Sequence, residues 1–151
     1  MICARADWPE RCIAHGMTRD GGNMKTRIGA RSWAIPEGYI AGASRRRGQA
    51  LDNQETTCIF NACDQDAHVE IVILFIDRDP VGPYRLTVPA LCNLLVRFHD
   101  LDDPAPIPRD TDFASIITSD VPIVVQHMRL DSREDALALL STVAFTDTAA
   151  S

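Results

Sequence analysis

Hydrophobic alternation with a period of two dominates the second half of the chain. From Val69 to Asp77 the odd positions Val69, Ile71, Ile73 and Phe75 are all apolar, which predicts a strand with one core face. The opposite positions His68, Glu70, Val72, Leu74 and Ile76 start polar and end apolar. A strand apolar on both faces near one end needs cover there, from a partner subunit, a loop or the chain's own termini. Tyr84, Leu86 and Val88 alternate with Arg85 and Thr87, and Leu94, Val96 and Phe98 alternate with Leu95, Arg97 and His99. Between these strands, Asp77-Arg78-Asp79-Pro80-Val81-Gly82-Pro83 is punctuated as a turn. Asp100 to Asp112 holds three prolines among acidic residues and reads as a long ordered loop.

Phe113 to Thr118 predicts a further strand, and the run from Ser119 to Arg133 a second one beginning after a turn-prone Ser119-Asp120 pair, with Pro122 at its start. Alternation puts Ile123 and Val125 on one face with His127, Arg129 and, if the strand persists, Asp131. That face is apolar first and charged later. It fits a strand running from a core to the mouth of a pocket, and equally a strand whose end emerges into water. Ser132 suits the cap of a short helical turn. Leu137 to Phe145 reads as helix or last strand, with propensity alone favouring helix through Ala136 to Leu140. Short strands with frequent turn signals and no βαβ rhythm predict a single all-β domain, an antiparallel β-sandwich of jelly-roll-like form.

Composition narrows the function classes. With 151 residues the chain is one domain, large enough to bury roughly 70% of its unfolded surface. A net charge of −6 argues against broad, sequence-independent DNA binding, which draws its affinity from neutralised phosphates. Arg45-Arg46-Arg47 keeps DNA as an uncertain partner, against the plainer reading of a solvated loop. No apolar run reaches the roughly 18 residues that span a bilayer. Residues 1–27 read as a disordered extension or a misassigned start, with Met24 as an alternative start, and residues 148–151 as a tail. The β-domain is then 28–147. Five cysteines without a CxxC pair fit a reducing cytoplasm, with Cys58, Cys63 and Cys92 as small buried hydrophobes. Cys63 and His68 alone make no metal site, and no cofactor is expected.

Trp33 to Tyr39 packs an indole, a carboxylate and a phenol into seven residues. The set suits a sugar site; the plainer alternative is a core Trp33 with Glu37 capping a loop. The chain shows no nucleophile–base pair at interpretable spacing and no phosphate-cradling glycine loop, so an enzyme is not expected.

Three blocks, Trp33-Ala34-Ile35-Pro36-Glu37-Gly38-Tyr39-Ile40, Pro80 to Ala90 and Ser119 to Arg133, closely resemble the sensory rhodopsin transducer family over roughly Ile28 to Thr146. The resemblance implies a β-sandwich that forms a cytoplasmic homo-oligomer, a tetramer, and that relays or binds rather than catalyses. It favours strand over helix for Leu137 to Phe145. It also implies a site for a small molecule, carbohydrate among the candidates, at Trp33, Glu37, Asn61, Arg97, His127, Arg129, Asp131 and Arg133. The implied partner is the cytoplasmic face of a microbial sensory rhodopsin. The chain departs from the family pattern at Asn53-Gln54, where relatives carry Ser-His, and at Leu91 to Leu95, where relatives are rich in Arg, Lys and His. The lost cations put affinity for an anionic ligand in doubt, and the new leucines add apolar surface suited to a subunit contact.

Overall fold

The computed structural model describes residues 28–42, 54–131 and 138–146. The expectations for the N-terminal extension, for Arg45 to Arg47 and for a helical turn at Ser132 lie outside those residues.

Seven antiparallel strands form one curled sheet in a single domain. They are β1 (Ala30–Tyr39), β2 (Gln54–Phe60), β3 (Ala67–Leu74), β4 (Val81–Val88), β5 (Asn93–Arg97), β6 (Asp112–Asp131) and β7 (Ala138–Val143). The all-β antiparallel class predicted from alternation is the class observed. The last element is a strand, so cross-strand pairing overrides the helix propensity of its sequence.

The 20-residue β6 organises everything else. Its first half pairs with β1 on one side and β3 on the other; its second half pairs with β2 and β7. The two strands predicted on either side of Ser119-Asp120 are therefore one strand that changes partners. The expected turn is a corner instead. Pro122 sits where the ladders change, which suits a residue without an N–H to donate. Asp120 accepts the backbone N–H of His68 at 2.8 Å and contacts its ring at 2.7 Å, while Val121 N–H donates to the Ser119 hydroxyl. Side chains thus satisfy backbone groups at the corner.

Curling brings the two half-sheets around one core. Trp33 and Ile35 of β1, Val69, Ile71 and Ile73 of β3 and Ile117 of β6 share it with Ile59 of β2, Val96 of β5 and Ile123 and Val125 of β6. The strand faces predicted for β3 and β4 are the buried ones. Phe98, in a short 3-10 turn after β5, packs on Phe113 with ring centroids 5.5 Å apart. The proline-rich loop beyond it is tied down by Tyr84, whose hydroxyl donates to the Ala105 carbonyl at 2.5 Å.

Candidate functional site

A buried ion network lies where the inner face of the second half-sheet meets β1. Glu55 of β2 stands directly across from Arg129 of β6, and His127 lies two residues before Arg129 on the same face. His127 Nε2 donates to Glu55 Oε1, and Arg129 Nε donates to Glu55 Oε2 at 2.9 Å. Both carboxylate oxygens are therefore engaged by charged or ring donors, as a buried carboxylate requires. Arg129 Nη1 reaches on to Glu37 Oε1 at 3.0 Å. The chain of charges runs from a core carboxylate to a solvent one: the Glu55 side chain is 0% exposed and that of Glu37 76%.

A bulge in β1 is what aims Glu37. Ile35 pairs with Ser115 but Gly38 pairs with Phe113, so β1 carries one extra residue. Bulges bend a strand and redirect its side chains. Gly38 makes the bulge possible, because a Cβ there would lie 2.3 Å from the Phe113 ring. Burial works against the charge of Arg129, but its hydrogen bonds to Glu55 and then Glu37 more than offset that, and its pKa is raised. Its third nitrogen, Nη2, is buried without a hydrogen-bond partner.

Beside the network opens a cleft of about 480 Å³, lined by Ile35, Pro36, His127 and the stretch from Thr142 to Thr146. It lies at the seam between β1 and β7. The seam is closed at one point by reciprocal backbone hydrogen bonds between Ala34 and Phe145, at 2.8 and 3.0 Å. Apolar walls with one imidazole and two hydroxyl side chains can hold a small molecule with an apolar body and a few polar groups.

Of the residues nominated from sequence, the structure brings together Glu37, His127 and Arg129. Trp33 is buried in the core, with its indole N–H donating to the Ala30 carbonyl at 3.0 Å. Asn61 is buried at the end of β2; its amide nitrogen lies 2.9–3.1 Å from the carbonyls of Gln65, Val88 and Pro89, and Oδ1 accepts the Cys63 N–H. Arg97 is exposed on the outer face of β5, opposite Thr56. Asp131 ends β6 in register with Ala138, and Arg133 lies outside the described residues. Sequence reasoning missed Glu55, although alternation through Glu55, Thr57 and Ile59 places a carboxylate on a core face. It also missed the lining from Thr142 to Thr146. Among the described residues no group of three or more His, Cys, Asp or Glu is placed to hold a metal ion.

Comparison with known proteins gives three findings. The profile of the family described as Anabaena sensory rhodopsin transducer matches residues 28–146. A solved structure described as the Anabaena sensory rhodopsin transducer is 62% identical, with a TM-score of 0.59, covering 66% of this chain and 96% of its own. A second, of Thermotoga maritima 1070, is 32% identical with a TM-score of 0.68, covering 78% of this chain and 95% of its own. No match is found among curated proteins.

Proposed function

Because this chain belongs to the Anabaena sensory rhodopsin transducer family, we propose that it is a signal-transduction protein that relays the state of a membrane photoreceptor by protein binding. The observation that carries this reading is the reach of the family match, which takes in all seven strands and the whole ion network. We read the protein as non-enzymatic. Glu55 spends both oxygens on His127 and Arg129, which leaves the network suited to holding strands in place rather than to attacking a substrate. No described helix is long and apolar enough to cross a membrane. We place the protein in the cytoplasm as a homo-oligomer, a tetramer, that meets the receptor at its cytoplasmic face.

Relay requires that the partner's affinity differ between two receptor states; a partner that binds both equally reports nothing. The experiment is binding of the full chain to a microbial sensory rhodopsin in nanodiscs, in darkness and under illumination. The reading expects dissociation constants that differ between the two. Equal constants, or no binding in either condition, would refute it.

A second reading, a small-molecule or carbohydrate site, is favoured by the cleft at His127. Trp33 is too buried to stack on a sugar, so Phe145, exposed at the cleft, takes the role of its apolar ring in this reading. A panel of sugars, sugar acids and nucleotides tests it by thermal shift. A ligand at about 100 times its dissociation constant adds roughly 2.7 kcal/mol. A shift lost in Phe145→Ala supports the site, and a flat panel removes it.

A further inference from the structure

The polar side chains of the cleft between β1 and β7 present lone pairs rather than protons. His127 stands at its inner wall, 4% exposed, directly opposite Thr142 in the β6–β7 ladder. Its Nε2 proton is given to Glu55, so the neutral ring offers Nδ1 as an acceptor, and no described residue hydrogen-bonds to that atom. The Thr142 hydroxyl donates to the Val143 carbonyl at 3.3 Å, and the Thr146 hydroxyl donates to the Ser32 carbonyl at 2.8 Å. A hydroxyl has one proton, so lone pairs are what either oxygen still has to offer. Pro36, also in the lining, has no N–H. Arg129 is not in the lining, and its Nε and Nη1 are held by Glu55 and Glu37.

We propose that this cleft takes a small organic cation, a primary ammonium group carried on an apolar or aromatic body. The proposal rests on the small-molecule reading above and names the ligand class for it. An ammonium group brings N–H donors and no acceptor, the complement of His127 Nδ1 and the two threonine hydroxyls. A carboxylate or phosphate would bring only acceptors to the same atoms and lose its hydration without replacement. Charge then favours a cation over a neutral hydroxyl. Phe145, 69% exposed at the cleft, supplies an aromatic ring for a cation–π contact. Glu37 follows Pro36 in sequence, and its side chain is 76% exposed. It bonds Arg129, two positions from His127 on the same face of β6, which puts a carboxylate near the rim. The net charge of −6 attracts cations at longer range. Ile35, Val143 and Ala144 leave the other walls apolar, and the volume of about 480 Å³ lies within the roughly 300–1,000 Å³ of small-molecule pockets.

The test is titration calorimetry of the full chain with phenethylamine, phenethyl alcohol and hydrocinnamate, which share a phenyl body and differ at the polar end. Butylamine and cyclohexylamine carry the same ammonium on other bodies. The tightest amine should bind about tenfold or more tightly than the alcohol or the carboxylate. Phe145→Ala and Thr142→Val should each weaken it by about threefold or more, and Thr142→Val keeps the branched shape that suits a strand. In the unaltered chain with nitrogen-labelled histidine, the His127 Nδ1 resonance should move as the amine is added. An amine that binds and leaves that resonance still would sit elsewhere and overturn the proposal, whether or not the variants fold. Preference for hydrocinnamate would mean that Nδ1 donates from a charged ring. Equal affinity for the alcohol would mean that charge is not read. Either result overturns the cationic class while the cleft remains a ligand site. Absence of amine binding at millimolar concentration overturns it as well. A hit among sugars, sugar acids and nucleotides would then preserve the small-molecule reading, and a flat panel there would remove both.

Discussion

Removing the Glu55 carboxylate is the sharpest perturbation of the ion network. In Glu55→Ala, Arg129 keeps only its contact to the exposed Glu37, and the buried His127 loses the partner of its Nε2. Removing one partner of a buried pair typically costs about 3–5 kcal/mol, because the remaining charge stays desolvated. Glu37→Ala breaks a contact of the same length, but at a side chain 76% exposed, where such pairs contribute about 0–1 kcal/mol. The two variants thus remove hydrogen bonds to one guanidinium yet should differ by about 2–5 kcal/mol. The assay is urea unfolding of both variants and wild type at neutral pH and one protein concentration, since any assembly makes midpoints concentration-dependent. Glu55→Gln serves as the shape-preserving control and should fall between them, retaining neutral hydrogen bonds without the charge. Costs for Glu55→Ala and Glu37→Ala within 1 kcal/mol of each other would refute the claim that burial, rather than pairing, sets the energetics of this network.

Three further outcomes are expected. The Asp120 carboxyl is held below its ordinary value of 3.8 by hydrogen bonds from the His68 ring and then the His68 backbone N–H. A depressed carboxyl contributes stability that is present above pH 3.8 and lost as pH falls through the folded value, so Asp120→Asn should flatten the acid limb of a stability–pH curve below 3.8 and leave its neutral part nearly parallel to wild type. Asn61→Ala should cost roughly 2–3 kcal/mol in urea unfolding, because it strands buried carbonyls at Val88 and its neighbours. Gly38→Ala should cost roughly 1–3 kcal/mol, since its Cβ meets the Phe113 ring at 2.3 Å, and the same change should lower the coupling between Glu37 and Arg129 in a double-mutant cycle.

The legible part of this fold is the part that alternation controls. Val69, Ile71 and Ile73 are buried because a strand with one core face leaves its odd positions no other place, and period two states that directly. The corner of β6 was hidden for the converse reason. Ser119, Asp120 and Pro122 carry the residue chemistry of a turn, and only the change of partner strands shows that a continuous strand can use the same chemistry to bend. Trp33 illustrates how an aromatic beside an acid stays ambiguous. Of its neighbours in sequence, Glu37 lies within a bulge and Tyr39 just past it, and a bulge depends on cross-strand register that no local pattern encodes. Glu55 was overlooked because its partners are 72 and 74 residues away, and a lone carboxylate among threonines looks like solvent-facing strand until those partners are in place.

Period two also binds the two surfaces together. The segment of β6 from Val124 to Leu130 turns Val125, His127 and Arg129 toward the core and the ion network, and Val124, Gln126, Met128 and Leu130 toward the outer face. Each residue facing one side is bonded through its backbone to residues facing the other. β2 repeats the arrangement, with Glu55 and Ile59 inward and Cys58 and Phe60 outward. A shift of either strand therefore moves both surfaces at once, and substitutions on the two faces have no physical reason to act independently. That arrangement is a property of the strand itself: the outward residues and those that hold the buried charges alternate along the same seven positions.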